Sequence, residues 1–181
     1  MSLKVLLYFC VVISCFVIDL QYKHMKIELL VVGKTNKKYL IEAIDEYRDR
    51  LKHYVGFEII VIPDIKNAKN LDTEQLKEQE ADEIMKYLHP ANYLVLLDEY
   101  GKELSSMQFA SYLDKKMVSG TKKVQFLIGG AFGFSKKIHD LANEKISLSK
   151  MTFSHQMVRL FFTEQLYRAM TILSGHPYHH E

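Results

Sequence analysis

Residues 124–135 read Val-Gln-Phe-Leu-Ile-Gly-Gly-Ala-Phe-Gly-Phe-Ser. The first five form an apolar, β-rich run of the length of a buried strand. Gly129, Gly130 and Gly133 follow it, and Ser135 is placed to cap a helix running to about Glu144. Strand, glycine loop, helix is the unit of a parallel α/β sheet. Working outward, the same alternation repeats. Strands are expected over 27–32, 57–62, 93–97 and 146–148. Helical spacing of apolar residues covers 36–54, then 72–88 and 155–174. Asp72 with Gln75 and Ser105 with Gln108 form capping boxes, and Phe109, Leu113 and Met117 make an i, i+4 stripe ended by Gly120. Residues 98–102, Asp-Glu-Tyr-Gly-Lys, read as a charged turn. Five strands alternating with five helices imply one parallel sheet covered on both faces.

The composition fits one domain with a real core: 48% hydrophobic and 25% charged, with a net charge of +2. That charge gives no global signature of a nucleic-acid binder, although Lys34, Lys37 and Lys38 make a small basic group after the first strand. Residues 1–24 differ from the rest. An apolar run over 5–18 follows Lys4 and holds both cysteines, Cys10 and Cys15. It is short for a membrane span. A secretory signal, a lipoprotein-like signal and translated upstream sequence compete. The upstream reading is favoured, because Met25 opens what looks like a first strand. The domain is then 25–181, with no cysteine for a disulfide or thiolate metal site and no expected membrane contact.

Ligands of such sheets collect at the carboxyl ends of the strands, here the loops after Leu97, Ile128 and Leu148. The glycine loop lacks the lysine of a phosphate loop and the order of a dinucleotide fingerprint. Glycine permits close approach of backbone to a flat ligand, so a nucleoside lying on backbone is the better match. A tight turn with no ligand is the alternative.

Further stretches carry a resemblance. They are the opening strand ending in Val32-Gly33, Leu97-Asp98 before Gly101-Lys102, Ile128-Gly129-Gly130, Ser149-Lys150-Met151-Thr152-Phe153, Leu166-Tyr167-Arg168-Ala169, and Tyr178-His179. Together they resemble the bacterial 23S rRNA pseudouridine N3-methyltransferases, a small single-domain branch of the SPOUT superfamily. The resemblance spans 25–181. It implies an α/β parallel-sheet fold with a C-terminal trefoil knot, a cytoplasmic homodimer, and S-adenosylmethionine as methyl donor without a metal. The substrate it implies is a pseudouridine of 23S rRNA in the assembled 70S ribosome. The donor site it implies comprises Leu97, Gly129, Gly130, Gly133, Leu148, Ser149, Lys150, Met151, Thr152 and Phe153. Two departures stand out. Ala131-Phe132 replaces a Pro-Glu or polar pair, and His180 occupies a position where some members carry arginine.

Methyl transfer to a pseudouridine nitrogen needs alignment of donor and acceptor and loss of an imide proton. His179 is the first candidate base, with Tyr178 to position it. Arg159 could neutralise a phosphate or a developing oxyanion. Its bland alternative is an ion pair with Glu164 or across a dimer. His155 is a second base, or else a helix-start residue bonded to backbone. His176, His179, His180 and Glu181 resemble a metal cluster, but no helix holds them, and no metal is expected. Met151, Met157 and Met170 read as core or ligand-lining residues. A related enzyme acting on tRNA or another rRNA site, or a nucleotide- or RNA-binding module without chemistry, are the competing functions.

Overall fold

The computed structural model describes residues 25–66 and 68–178. Its elements follow one another as β1 (Lys26–Val32), α1 (Lys38–Leu51), β2 (Gly56–Ile62), a 3-10 turn (Ala68–Asn70), α2 (Thr73–Met85) and β3 (Tyr93–Glu103). Then come α3 (Ser106–Val118), β4 (Lys123–Ile128), α4 (Lys136–Leu141), β5 (Glu144–Ser147) and α5 (His155–Leu173). The five strands form one sheet in the order β2-β1-β4-β3-β5, and every pairing is parallel.

The period-2 alternation of side chains divides the core. Ile27, Leu29 and Val31 of β1 join Val124, Phe126 and Ile128 of β4 on one face, under α1, α3 and α5. Leu30 and Val32 face the other way with Leu96 and Leu127, under Ala81 and Ile84 of α2 and Ile138 of α4. Both faces are therefore apolar, which is why these strands read as continuous hydrophobic runs. Phe162 of α5 is fully buried, its ring 4.7 Å from that of Phe126. It anchors α5, whose N-terminal end projects toward the strand ends.

Both capping boxes form. Asp72 accepts from the Gln75 amide at 2.8 Å, and Ser105 accepts from the Gln108 amide at 3.2 Å. Gly120 and Gly175 close their helices with φ of +75° and +65°. Ser135 opens α4, but its side chain makes no capping bond.

Three boundaries differ from the sequence expectation. Helix α4 stops at Leu141, because Asn143 docks on β3: its side chain accepts from Leu94 N at 2.7 Å and its own amide donates to Leu94 O at 2.9 Å. That contact feeds residues 144–147 into the sheet as β5. Helix α2 ends at Met85, and residues 86–88 continue in single i→i−3 turns. The largest difference is at 98–102. These residues lie within β3, which shifts register between Leu97 and Lys102 so that both pair with Ile146. A Cβ on Gly101 would stand 2.6 Å from the backbone of Ile146. Glycine there lets the shifted strand lie directly against β5.

Candidate active site

The carboxyl ends of β3, β4 and β5 surround a cleft of about 670 Å³, within the usual range for small-molecule sites. Leu97, Asp98, Glu99 and Tyr100 line it from β3. The glycine loop from Ile128 to Phe134 lines it from β4. Ser147, Leu148, Ser149, Met151, Thr152 and Phe153 line it after β5, with Ser154, His155 and Val158 from the start of α5. All three expected loops thus meet in one place.

Each glycine of the loop has its own cause. A Cβ at Gly129 would approach the Phe134 ring at 3.0 Å and Gly133 O at 3.2 Å. At Gly130 it would meet both carboxylate oxygens of Glu80, on α2, at 2.5 Å. Gly133 has φ of +76°, which costs other residues strain. The turn is closed by Gly133 N donating to Gly130 O at 3.3 Å. The post-β5 segment is organised by its serines. Ser147 Oγ donates to Ser149 O at 2.9 Å, Ser149 Oγ accepts from Met151 N at 2.9 Å, and Ser154 caps α5 through the Met157 amide at 3.3 Å. Thr152 reaches Glu99 at 3.4 Å, joining two of the three loops. Met151 is 72% exposed at the rim. Lys150 does not line this cleft. Its ammonium lies 3.8 Å from Glu103, beside a smaller neighbouring cavity.

His155 lines the cleft, and its pKa is held below the ordinary histidine value. Burial is the larger cause and the Arg159 charge the second, with Asp64 opposing. Its neutral form therefore dominates at neutral pH. Arg159 is only 1% exposed. Its guanidinium donates to Val32 O at 2.6 Å, Gly33 O at 2.9 Å and Thr35 Oγ1 at 2.9 Å. The expected partner Glu164 instead binds Arg168, at 2.6 Å. In this chain Arg159 faces inward and ties α5 to the end of β1; it does not present its charge at the surface.

Tyr178 does not line the cleft. It packs on α1 and α5, its ring edge-on to Tyr167 at 4.8 Å and beneath the Arg168 guanidinium at 4.8 Å. Its hydroxyl donates to Glu164 at 3.3 Å. Burial holds its pKa above the ordinary tyrosine value. His179, His180 and Glu181 lie outside the described residues. Among the described residues there is no group of three metal-ligating side chains, and no helix is long and apolar enough to cross a membrane.

Several cleft residues were not singled out from the sequence. Asp98 and Glu99 follow Leu97 directly, so the strand-end rule that selected Leu97 also reaches them. Asp98 is 3.7 Å from His139 Nε2. His139 on α4 and Lys77 on α2 line the cleft from helices distant in sequence, and no local pattern marks them.

A doubly covered parallel α/β sheet with a nucleoside-sized cleft floored by backbone at its strand ends defines a nucleotide-cofactor protein of the methyltransferase type. The chain belongs to the SPOUT methyltransferase family: the family model described as "Predicted SPOUT methyltransferase" matches residues 25–179. It is 61% identical over 157 residues to the ribosomal RNA large subunit methyltransferase H of Parabacteroides distasonis, covering 87% of this chain and 100% of that protein. The proteins of the same name from Bacteroides fragilis and Christiangramia forsetii are 55% and 54% identical. They are aligned over 87% and 86% of this chain and 100% and 99% of their own lengths. The chain is an enzyme of this methyltransferase family.

Proposed function

We propose that the chain transfers a methyl group from S-adenosylmethionine to N3 of a pseudouridine in 23S rRNA of the assembled ribosome, acting as a cytoplasmic homodimer. The observation that carries this reading is the convergence of the three strand-end loops on one cleft, in a chain with full-length likeness to ribosomal RNA methyltransferases. The knotted C-terminal half that the family implies accords with the close seating of β3 on β5 at Gly101.

The cleft fits the donor. Its volume suits a nucleoside bearing an amino-acid tail. Gly129 presents bare backbone to a flat base, Leu97 and Leu148 supply apolar walls, and Asp98 and Glu99 offer carboxylates to hydroxyls or an ammonium. The bound donor supplies an electrophilic methyl carbon on a sulfonium. The chain's task is then alignment and proton removal. The bond from N3 to the methyl carbon forms as the carbon–sulfur bond breaks, and the N3 proton passes to a base. Neutral His155, in the cleft wall, is suited to take it. His179 is the alternative. Because Tyr178 is held on α1 and α5 outside its own cleft, the tail is placed to serve the partner's site. Two copies would then build each centre, and Arg159 acts by fixing α5 against β1.

The test is methylation with labelled S-adenosylmethionine on 70S ribosomes, free large subunits and bulk tRNA, all from a methylation-deficient strain. Label in 23S rRNA of 70S particles is expected, and Gly129→Arg should abolish it by filling the cleft wall. Label confined to tRNA would move the target to another RNA. Absence of both label and donor binding would reduce the glycine loop to a turn.

A further inference from the structure

Glu80 plays no part in the chemistry above, yet its carboxylate sits behind the glycine loop. Both its oxygens lie where a Gly130 side chain would begin, 2.5 Å from an ideal Cβ, and it accepts a hydrogen bond from the Gly130 backbone amide. The described chain has no cis peptide bond. In a trans peptide the N–H and the preceding C=O point in opposite directions. With the Gly130 amide turned back onto Glu80, the Gly129 carbonyl is turned away from α2, toward the cleft that Gly129 lines.

We propose that Glu80 is a positioning residue for donor binding: by holding the Gly130 amide it aims the Gly129 carbonyl into the cleft as a fixed acceptor for the donor's amino or hydroxyl groups. The inference rests on the methyltransferase reading. A neutral acceptor would be cheaper to bury, since burial and the neighbouring Asp64 both raise the Glu80 pKa, opposed by the Gly130 amide. An ionised acceptor gives the stronger bond, roughly twice a neutral one. Asp64 comes from the loop after β2, and its own charge acts on Arg159 and His155 of α5. Lys77, one turn earlier on α2, is tied to Glu74 at 2.9 Å.

As pH falls through the raised Glu80 pKa, the carboxylate takes a proton and its hold on Gly130 weakens. Donor affinity should weaken with it. The experiment is calorimetric titration of S-adenosylmethionine into the full chain between pH 5 and 8, for the wild type, Glu80→Gln and Glu80→Leu. Gln keeps an uncharged acceptor, so E80Q should bind the donor with much less of the wild type's acid weakening. E80L has no acceptor and should bind roughly tenfold more weakly at pH 8. Its donor KM should rise while kcat at saturating donor holds. A folded E80L with wild-type affinity, or an E80Q that retains the full acid weakening, overturns the proposal. If E80L does not fold, E80Q alone decides. A wild type that binds no donor at any pH removes the methyltransferase reading, and this inference with it; a failure confined to the variants removes this inference alone.

Discussion

Arg159 shows how one side chain can be misjudged from its chemistry. A cation in a motif near an RNA-directed site suggests phosphate, but here three carbonyl and hydroxyl oxygens at the end of β1 take up its donors. Nothing local in the sequence pairs residue 159 with residues 32–35, so this contact was illegible before folding. Arg159→Met should strand two buried carbonyls and cost about 3 kcal/mol; urea denaturation checks this, and a change within about 0.5 kcal/mol would contradict it. His155 was legible as a candidate from its place before the long helix, while its depressed pKa depends on burial and on Arg159 one turn away. As a base it must be unprotonated. Single-turnover methyl transfer should therefore rise with pH through a pKa below 6.5 and level off above it. His155→Ala should remove that limb and slow transfer by about 10²-fold or more. An unchanged profile in the variant would pass the role to His179.

At the scale of elements, the strands and helices were mostly readable because both faces of the sheet are buried and the helices carry their own start and stop signals. Asp72, Ser105, Gly120 and Gly175 act within one turn of themselves, so sequence suffices to find them. The exception was 98–102. Its acidic and basic residues look like a turn, and only pairing with Ile146 makes it strand. That pairing depends on a residue 45 positions later in the chain, counted from Gly101 to Ile146. Gly101→Ala tests it directly. The added methyl would collide with backbone, which cannot rotate aside as a side chain can. The expected cost is about 3 kcal/mol, with weaker donor binding as well, because Leu97 and Leu148 reach the cleft through these two strands. Thermal melts and donor titration on the same variant measure both; a variant that melts like the wild type would mean that β5 can shift outward without harm.

For the whole molecule, the composite site makes a prediction that a self-contained subunit does not. Removing residues 179–181 should abolish methyl transfer while donor binding persists, and Gly129→Arg should abolish donor binding. Mixed and allowed to exchange, the two inactive proteins should recover part of the activity, because a heterodimer keeps one intact cleft facing one intact tail. Failure to recover, with exchange verified by mass, would return each site to a single chain. Residues 1–24 are proposed to be dispensable: the chain from Met25 should melt and methylate as the full chain does. The sheet order also bears on how the molecule is made. Residues 26–62 supply β1 and β2, which pair at once. The other edge of β1 waits for β4, at Lys123–Ile128. A nascent chain that has emerged only through α3 carries a central strand with one bare side, and a stalled or truncated product would offer that side to its neighbours for pairing. Every wall of the donor cleft except Lys77 comes later than that strand pair, so no N-terminal fragment of this protein can hold the methyl donor.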